Sequence, residues 1–549
     1  MVLKRLLPFT VFLVLSGVLY APTLSFELVY LDDNVWILDY GWLLQDWRQA
    51  ARFFVSPDFI SRIFYRPILN LSFLLDAHSP LPGNLAYRVT NIILHAACSG
   101  LVYRLFICLK YNRPAAWTAG LIFAVHPAST AAVAWIPGRT DSLLAFFTLL
   151  AVTEYIAFAR GGPTSPGGRA PAFSRAGTHM LFFVLALLTK ETAVVIPAVC
   201  FAYSLCEGRA GLGKPRQLLM AVGWAVTLAG FFILRNAVIP DENRVGWSEA
   251  AGSVLRNSPA LVSYLGKVIF PAGQSVLPHR PDMTLAWGQA ALAGLVIGCA
   301  AFGRKSGKRI CFGAAWFLLF LAPALVISFL KHEYRLYLPM IGIGVILASW
   351  TEVPALARRG SFAGVIAGII ITGFAAKTLV FSRNYRDRFA FWESAVKSSP
   401  TLPLARRNRA AMYHLEGRLD QAEAGYRKAL ELNPGEKMAN NNLGLIYQNR
   451  GDAKSAEFYY QKEIAVNPFY DDVYYNYGIL KYQGGERRQA QALWERAVEV
   501  NPRYVPAWHS LLALALEEGR RDDARRYARL MRAGGMAVPF GETDFRQEE

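Results

Sequence analysis

The chain has 549 residues, is 54% hydrophobic, and carries 58 Lys+Arg against 40 Asp+Glu, a formal charge of +18. A mean hydropathy of +0.24 excludes a wholly soluble protein, while the polar, Ala-, Glu- and Arg-rich last third excludes one confined to lipid. The positive charge needs no nucleic-acid partner, because short basic loops between apolar runs are what the positive-inside rule requires.

The first apolar run is 6–24, preceded by Lys4 and Arg5. It lacks a small-x-small cleavage site and reads as a retained anchor. A long polar loop follows, with Asp32, Asp33 and aromatics from Trp36 to Trp47. Within that loop, Tyr65-Arg66-Pro67 leads into an apolar piece too short to span, expected in the interface. Further spans are expected at 86–108, 115–133 and 142–158. Two shorter runs, 180–188 and 193–205, join at Lys190-Glu191, and 218–234 leads into a second long loop. The last spans are 285–302, 311–330, 336–350 and 362–381. With the basic loops 109–114, 160–177, 207–217, 304–309 and 351–361 in the cytoplasm, the alternation closes at eleven spans. This requires that 261–270, which ends at Pro271, does not cross. Both long loops, the 126–141 turn, Lys190-Glu191, His332 to Arg335 and the C-terminal third then lie outside the cytoplasm. The six cysteines (Cys98, Cys108, Cys200, Cys206, Cys299, Cys311) lie in or beside apolar runs. They read as small core hydrophobes, not as a disulfide framework or zinc site.

The last third repeats with a period of 34: Pro400, Pro434, Pro468, Pro502; Gly417, Gly451, Gly485, Gly519; Ala422, Ala456, Ala490, Ala524. Aromatics recur at Tyr426, Tyr460 and Trp494. This is the tetratricopeptide period. Gly sits at the turn of a helical hairpin, Ala where its helices touch, and Pro ends the second helix. One hairpin cannot bury its own apolar face, so the units stack into a solenoid. The expected class is all-α, with a polytopic membrane domain over 1–382, repeats over 383–536 and a polar tail over 537–549. Residues 383–399 read as an unpaired first helix. Tyr474, Tyr475, Asn440, Asn441 and Asn476 are expected to line a concave face that holds a protein or peptide.

Charges clustered at the outer ends of the spans suggest three functions. A transporter would carry them mid-bilayer on broken helices in two similar halves; the membrane part shows no such repeat. A scaffold would use them as juxtamembrane anchors and recruit partners through the repeats. An enzyme acting on a lipid-linked phospho-sugar needs a base for an acceptor hydroxyl and cations for the phosphate left behind. Asp32 or Asp33 is the candidate base; Arg66, Arg139, Lys190 and Arg335 are candidate phosphate ligands. His126, Asp141 and Glu191 fall near the same face. Each has a plainer reading. His126 satisfies a helix end, Asp141 caps the span beginning at Ser142, and Arg139 pairs with Asp141. Lys190-Glu191 is a structural ion pair, and Arg335 is an interface anchor. No cluster has metal-ligand spacing, so neither metal nor cofactor is expected.

The segments His126-Pro127 and Val133-Ala134-Trp135-Ile136-Pro137-Gly138-Arg139-Thr140-Asp141 carry the pattern H-P…V-x-W-I-x-G-R-x-D. With Asp32-Asp33, Tyr65-Arg66-Pro67, Asn91 to His95, Lys190-Glu191-Thr192 and Glu333 to Pro339 in this order, the chain resembles one family. That family is the transmembrane and tetratricopeptide-repeat O-mannosyltransferases. The resemblance runs through about residue 535. It implies a GT-C fold, a polyprenyl-phosphate sugar donor and an acidic residue of the first outer loop as base; the motifs carry neither sugar nor acceptor, and the expected acceptor is a protein or peptide hydroxyl, with a lipid or glycan as the alternative. Asp32 matches that acid and Asp33 its neighbour. With the spans and basic loops above, the expectation is a multi-pass protein of a bacterial inner membrane, contacting membrane lipid, with the repeats on the extracytoplasmic side; mannose is the sugar the family name suggests.

Overall fold

The computed structural model describes residues 2–58, 63–160, 172–207, 213–239, 246–302, 306–326, 333–351 and 360–539. Helices, with short 3-10 and π turns, form all the regular structure among the described residues. The fold is all-α. The chain divides into two compact units, Met1–Ser399 and Pro400–Glu549.

In the first unit, six helices are long and apolar enough to cross a bilayer: Leu7–Ser25, Leu85–Cys108, Ile136–Ala159, Pro215–Val238, Gly307–Leu325 and Gly364–Tyr385. A bent pair, Arg113–Val125 with Pro127–Ala134, makes a seventh if counted as one span. The other runs expected to cross fold as shorter apolar helices: Ser174–Leu187, Glu191–Cys206, Ala286–Phe302 and Pro339–Trp350. Pro67–Ala77 and Pro259–Ile269, expected in the interface, are also short helices. The helices at 215–238 and 364–385 leave Val226, Ile233, Val365 and Ile369 well exposed. Such apolar surface is stable against lipid tails and unstable against water.

The bend in the third expected span has a local cause. A residue before proline is driven out of the α region by its neighbour's ring. His126 precedes Pro127 and is extended, with φ −70° and ψ 128°, and the two helices meet at 52°. The chain then passes through short turns at Pro127–Ser129, Thr130–Ala134 and Ile136–Gly138 before helix Arg139–Ala159. Gly138 is required there, because a Cβ on it would overlap the Ala131 carbonyl. The residues 126–141 are thus folded back into the unit, and every one of them is buried.

The second unit is four helical hairpins: Pro403–Leu415 with Leu419–Leu432, Ala439–Asn449 with Ala453–Val466, Asp471–Gln483 with Arg487–Val500, and Val505–Glu517 with Arg521–Ala533. The repeating glycines have φ of +73°, +79°, +80° and +68° at Gly417, Gly451, Gly485 and Gly519. That is left-handed backbone, which disfavours a Cβ. The four repeating alanines are fully buried. A hydrogen bond also repeats. The side chain six residues after a repeat proline donates to its carbonyl: Arg406 to Pro400 at 3.0 Å, Tyr474 to Pro468 at 3.0 Å, Trp508 to Pro502 at 2.9 Å. The expected concave lining needs correction. Asn440, Asn441 and Tyr474 are buried in the hairpin packing, leaving Tyr475 and Asn476 half-exposed.

Helix Arg388–Ser398 packs with the first unit, burying Phe391 and Trp392. The Ser399 hydroxyl donates to the Leu277 carbonyl at 2.8 Å, and Ser398 and Ser275 share a hydrogen bond of 2.6 Å. The division between units therefore falls after this helix rather than before it.

Candidate active site

The loop after the first helix is held from three directions. The Glu27 N–H donates to the Arg386 carbonyl at 2.8 Å, and Arg88 donates to the Glu27 carbonyl at 2.8 Å. The Trp135 indole donates to the Leu31 carbonyl at 3.0 Å. Tyr30 and Asp32 both adopt left-handed backbone, φ +59° and +68°. Such conformations cost non-glycine residues about 1 kcal/mol or more and persist only where the surroundings impose them.

The tight loop gives the two aspartates different surroundings. Asp33 is buried, and its carboxylate accepts the N–H groups of Val29 (2.7 Å), Leu31 (3.1 Å) and Asn34 (3.0 Å). Burial pushes its carboxyl up to about 6, against the opposing pull of those N–H groups and of Arg88. Asp32 is solvent-exposed. No described residue donates a hydrogen bond to its carboxylate. The protein around it still removes enough water to raise its carboxyl above the ordinary value.

The basic residues meet around Tyr334. Lys190 sits at an extended break between helices, φ −160° and ψ 137°. Its ammonium donates to both oxygens of Asp141 at 2.8 Å and lies 5.4 Å from the Tyr334 ring centre. Burial lowers the Lys190 pKa despite Asp141. Arg66 donates through Nε and Nη2 to Glu191 at 3.1 and 3.0 Å, and the Tyr65 N–H donates to the other Glu191 oxygen at 3.1 Å. For Arg66, burial opposes the charge but Glu191 and Asp58 outweigh it, so its pKa is raised. Arg335 makes one hydrogen bond among the described residues, Nη1 to the Ala324 carbonyl at 3.3 Å. Of its five guanidinium donors, the others have no hydrogen-bond acceptor among the described residues. Burial raises the Tyr334 hydroxyl, which lies in the fields of Arg335, Asp141, Asp32 and Arg66 together. Trp135 packs on Tyr334 at 5.6 Å between ring centres.

Asp32, Arg66, Asp141, Lys190, Glu191 and Arg335 are therefore brought together. Lys190 and Glu191 both take structural ion pairs, with Asp141 and Arg66 respectively, whereas an expected pairing and an expected cap are corrected. Arg139 pairs with Asp76, not Asp141. Asp141 does not cap the helix from outside; it lies in the first turn of a helix beginning at Arg139. Two candidate ligands face elsewhere. Arg139 is fully buried, with donors on Asn91 Oδ1 (2.9 Å), the Tyr87 carbonyl (2.8 Å) and the Ser72 carbonyl (3.1 Å). Nothing of its fork is left for a phosphate. His126 is buried, its Nδ1 accepting the Ala128 N–H at 3.0 Å and its Nε2 donating to the Val268 carbonyl at 2.9 Å. Those partners fix the neutral ring and occupy both nitrogens. His332 lies outside the described residues. Tyr334 and Trp135, though inside the quoted motifs, were not expected to line the site; their aromatic character beside charged neighbours was the available signal. Among the described residues no three His, Cys, Asp or Glu side chains gather as a metal site.

Behind Tyr334, Glu333 is buried and forms an ion pair with Lys267 from helix Pro259–Ile269. The same Glu333 oxygen accepts the Ser275 N–H at 2.9 Å.

A tetratricopeptide repeat model matches residues 408–436 and 439–470. The chain is 27% identical over 320 residues to Protein O-mannosyl-transferase Tmtc2 of Drosophila melanogaster, covering 55% of this chain and 33% of that protein. It is 30% identical over 233 residues to Protein O-mannosyl-transferase Tmtc1 of the same species, covering 40% and 25%. To Protein O-mannosyl-transferase TMTC3 of Mus musculus it is 22% identical over 419 residues, covering 67% and 43%. The chain thus spans less than half the length of each of these relatives. They bear the family name to which the H-P…V-x-W-I-x-G-R-x-D motif pointed. Among solved structures the chain is similar to MamA, with 23% identity and a TM-score of 0.23 over 25% of this chain and 81% of that one.

Proposed function

We propose that the chain is a membrane glycosyltransferase that moves a sugar from a polyprenyl-phosphate donor to a hydroxyl of a protein or peptide. The observation that carries the reading is the difference between the two aspartates. Asp33 is committed to the loop's backbone, whereas Asp32 presents an unbonded carboxylate in the field of Tyr334. The names of the relatives favour mannose as the sugar.

In the reaction, the acceptor O–H gives its proton to Asp32 as its oxygen bonds to C1 of the sugar. The C1–O bond to phosphate breaks, and its electron pair stays on the departing polyprenyl phosphate. Arg335, whose other donors have no acceptor among the described residues, holds that phosphate. Lys190 and Arg66 are each matched by a carboxylate, so they set the field around the phosphate and leave Arg335 as its direct ligand. A single displacement inverts the configuration at C1. The repeats hold the acceptor polypeptide.

The test uses the full chain in detergent with a polyprenyl-phosphate mannose and a Ser/Thr peptide. Asp32→Asn should lower kcat by about 10²–10⁴-fold, the usual contribution of one general base. Arg335→Ala should raise the donor KM first. Full transfer by both Asp32→Asn and the double Asp32→Asn/Asp33→Asn protein would refute the reading.

A further inference from the structure

Two spaces flank the ion pair of Lys267 and Glu333. Glu333 borders a narrow crevice walled by Leu31 and Tyr334, and Lys267 borders a larger cavity on the other side. That cavity opens between helix Pro259–Ile269, the loop after it and the start of helix Ala286–Phe302. Neither Asp32, Tyr334 nor Arg335 lines it. Its volume is about 160 Å³. One water needs roughly 10–15 Å³, so there is room for a small polar molecule. The two helices touch beside it at Gly266 and Gly288, where a Cβ on Gly288 would overlap the Val262 carbonyl. The walls combine an aromatic ring with hydroxyl and carboxylate groups. Trp287 packs on Phe270 at 5.8 Å between ring centres and is still 51% exposed. Ser263 and Thr284 bring hydroxyls that make no hydrogen bond among the described residues. His279 Nδ1 donates to Asp282 at 3.3 Å.

We propose that this cavity is a second carbohydrate site, which takes one uncharged sugar ring distinct from the ring of the donor. The proposal goes beyond the transferase reading and concerns binding alone. Three features select a sugar. The first is the mix of surfaces: the C–H face of a sugar ring packs on the open Trp287 indole, while its hydroxyls meet Asp282, Ser263 and Thr284 at the edge. The second is charge. Lys267 is matched by Glu333 and His279 by Asp282, so the described residues of the wall leave no cation over for a phosphate or a phospholipid headgroup. The third is size, which suits one ring, in walls too polar for an acyl chain. The close contact of Gly266 with Gly288 sets the walls before the ligand arrives, which lowers the cost of binding. A free monosaccharide and a sugar already carried by an acceptor polypeptide present the same ring.

The test uses the full chain in a detergent without a sugar headgroup. Methyl glycosides of mannose, glucose and galactose are titrated and followed by saturation-transfer NMR and calorimetry. At least one should bind saturably. Trp287→Ala and Asp282→Asn should each weaken that binding about tenfold, the effect of losing the aromatic platform or a hydrogen bond to a charged acceptor. Trp287→Phe keeps a ring and should retain most of the affinity, which separates loss of the platform from loss of the fold. Asp32→Asn and Arg335→Ala should bind the glycoside as the unaltered protein does, which separates this site from the donor's. A mannosyl peptide binding tighter than both methyl mannoside and the bare peptide assigns the ring to an acceptor; affinity equal to that of methyl mannoside assigns it to a free sugar. No saturable binding of any of these glycosides, or binding indifferent to both Trp287→Ala and Asp282→Asn, would overturn the proposal. So would tighter binding of phosphoethanolamine or inorganic phosphate at the same residues. These outcomes are read as binding, so they are separable from failure of the transferase reading, which is decided by kcat in Asp32→Asn.

Discussion

A buried carboxylate already accepting three backbone N–H groups makes a poor general base, because an acceptor hydroxyl cannot reach it. Asp33 is in that position and Asp32 is not. Asp33→Asn should therefore be a stability variant before it is an activity variant. An amide oxygen keeps part of the acceptor set but gives up the charge that burial penalises. The sign of the pH effect follows from the raised carboxyl. The folded state holds the Asp33 proton up to about 6, whereas the unfolded chain releases it near the ordinary value of about 3.9. Its contribution to stability is complete below the unfolded value and is lost as pH rises through about 6. Thermal melts should show the stability deficit of Asp33→Asn narrowing between about pH 4.5 and 7.5, by on the order of 2 kcal/mol. A deficit constant across that range would mean the Asp33 carboxyl is not raised. Activity has its own pH limit: transfer should fall as pH drops through the raised carboxyl of Asp32, since only the ionised form accepts a proton.

At the scale of elements, the site is assembled from breaks between helices. The extended residues His126, Trp135 and Lys190 interrupt apolar runs and turn side chains inward. The run 115–133 reads as one unbroken span, although the signal for its bend is present in His126-Pro127, because proline restricts the residue before it whatever the tertiary context. The ion-pair partners have no such signal. Lys190 and Glu191 are neighbours in sequence, yet the break points them at Asp141 and Arg66, which lie far away along the chain. Arg139 reaches Asp76 across a similar separation, which no local pattern encodes. The same reasoning separates two variants. Lys190→Met leaves the Asp141 carboxylate mostly buried and unpaired, so the protein should lose about 3–5 kcal/mol of stability. The double variant Lys190→Met/Asp141→Leu should recover most of that loss, because two apolar side chains replace a desolvated pair. Equal melting temperatures for the single and double variants would show that the pair is solvated in the membrane. Arg139→Ala should destabilise like the single variant, whereas Arg335→Ala should melt close to the unaltered protein.

For the molecule as a whole, the repeats were the most legible part. Four residue registers with one period have a single physical source, and the glycine turns, alanine contacts and proline ends fall where hairpin geometry requires them. Membrane sidedness was argued from basic loops and a count of crossings, and one miscounted helix reverses that argument. The fold supplies an argument independent of the count. The Glu27 N–H, in the loop that carries Asp32, donates to the carbonyl of Arg386, just past helix Gly360–Ser382. A hydrogen bond of 2.8 Å cannot join opposite faces of a hydrocarbon core about 30 Å thick. The last apolar helix therefore ends on the Asp32 side. The next helix, Arg388–Ser398, stays there against Ser275 and Leu277, and beyond Ser399 none of the described helices qualifies as a span. Reporters inserted near Trp42 and after Gly534 should accordingly give the same reading in paired phosphatase and fluorescent-protein fusions. Both should read extracytoplasmic if the basic loops orient the first helix. Opposite readings at the two positions would place the repeats across the membrane from Asp32, and a peptide held by them would have no path to the base.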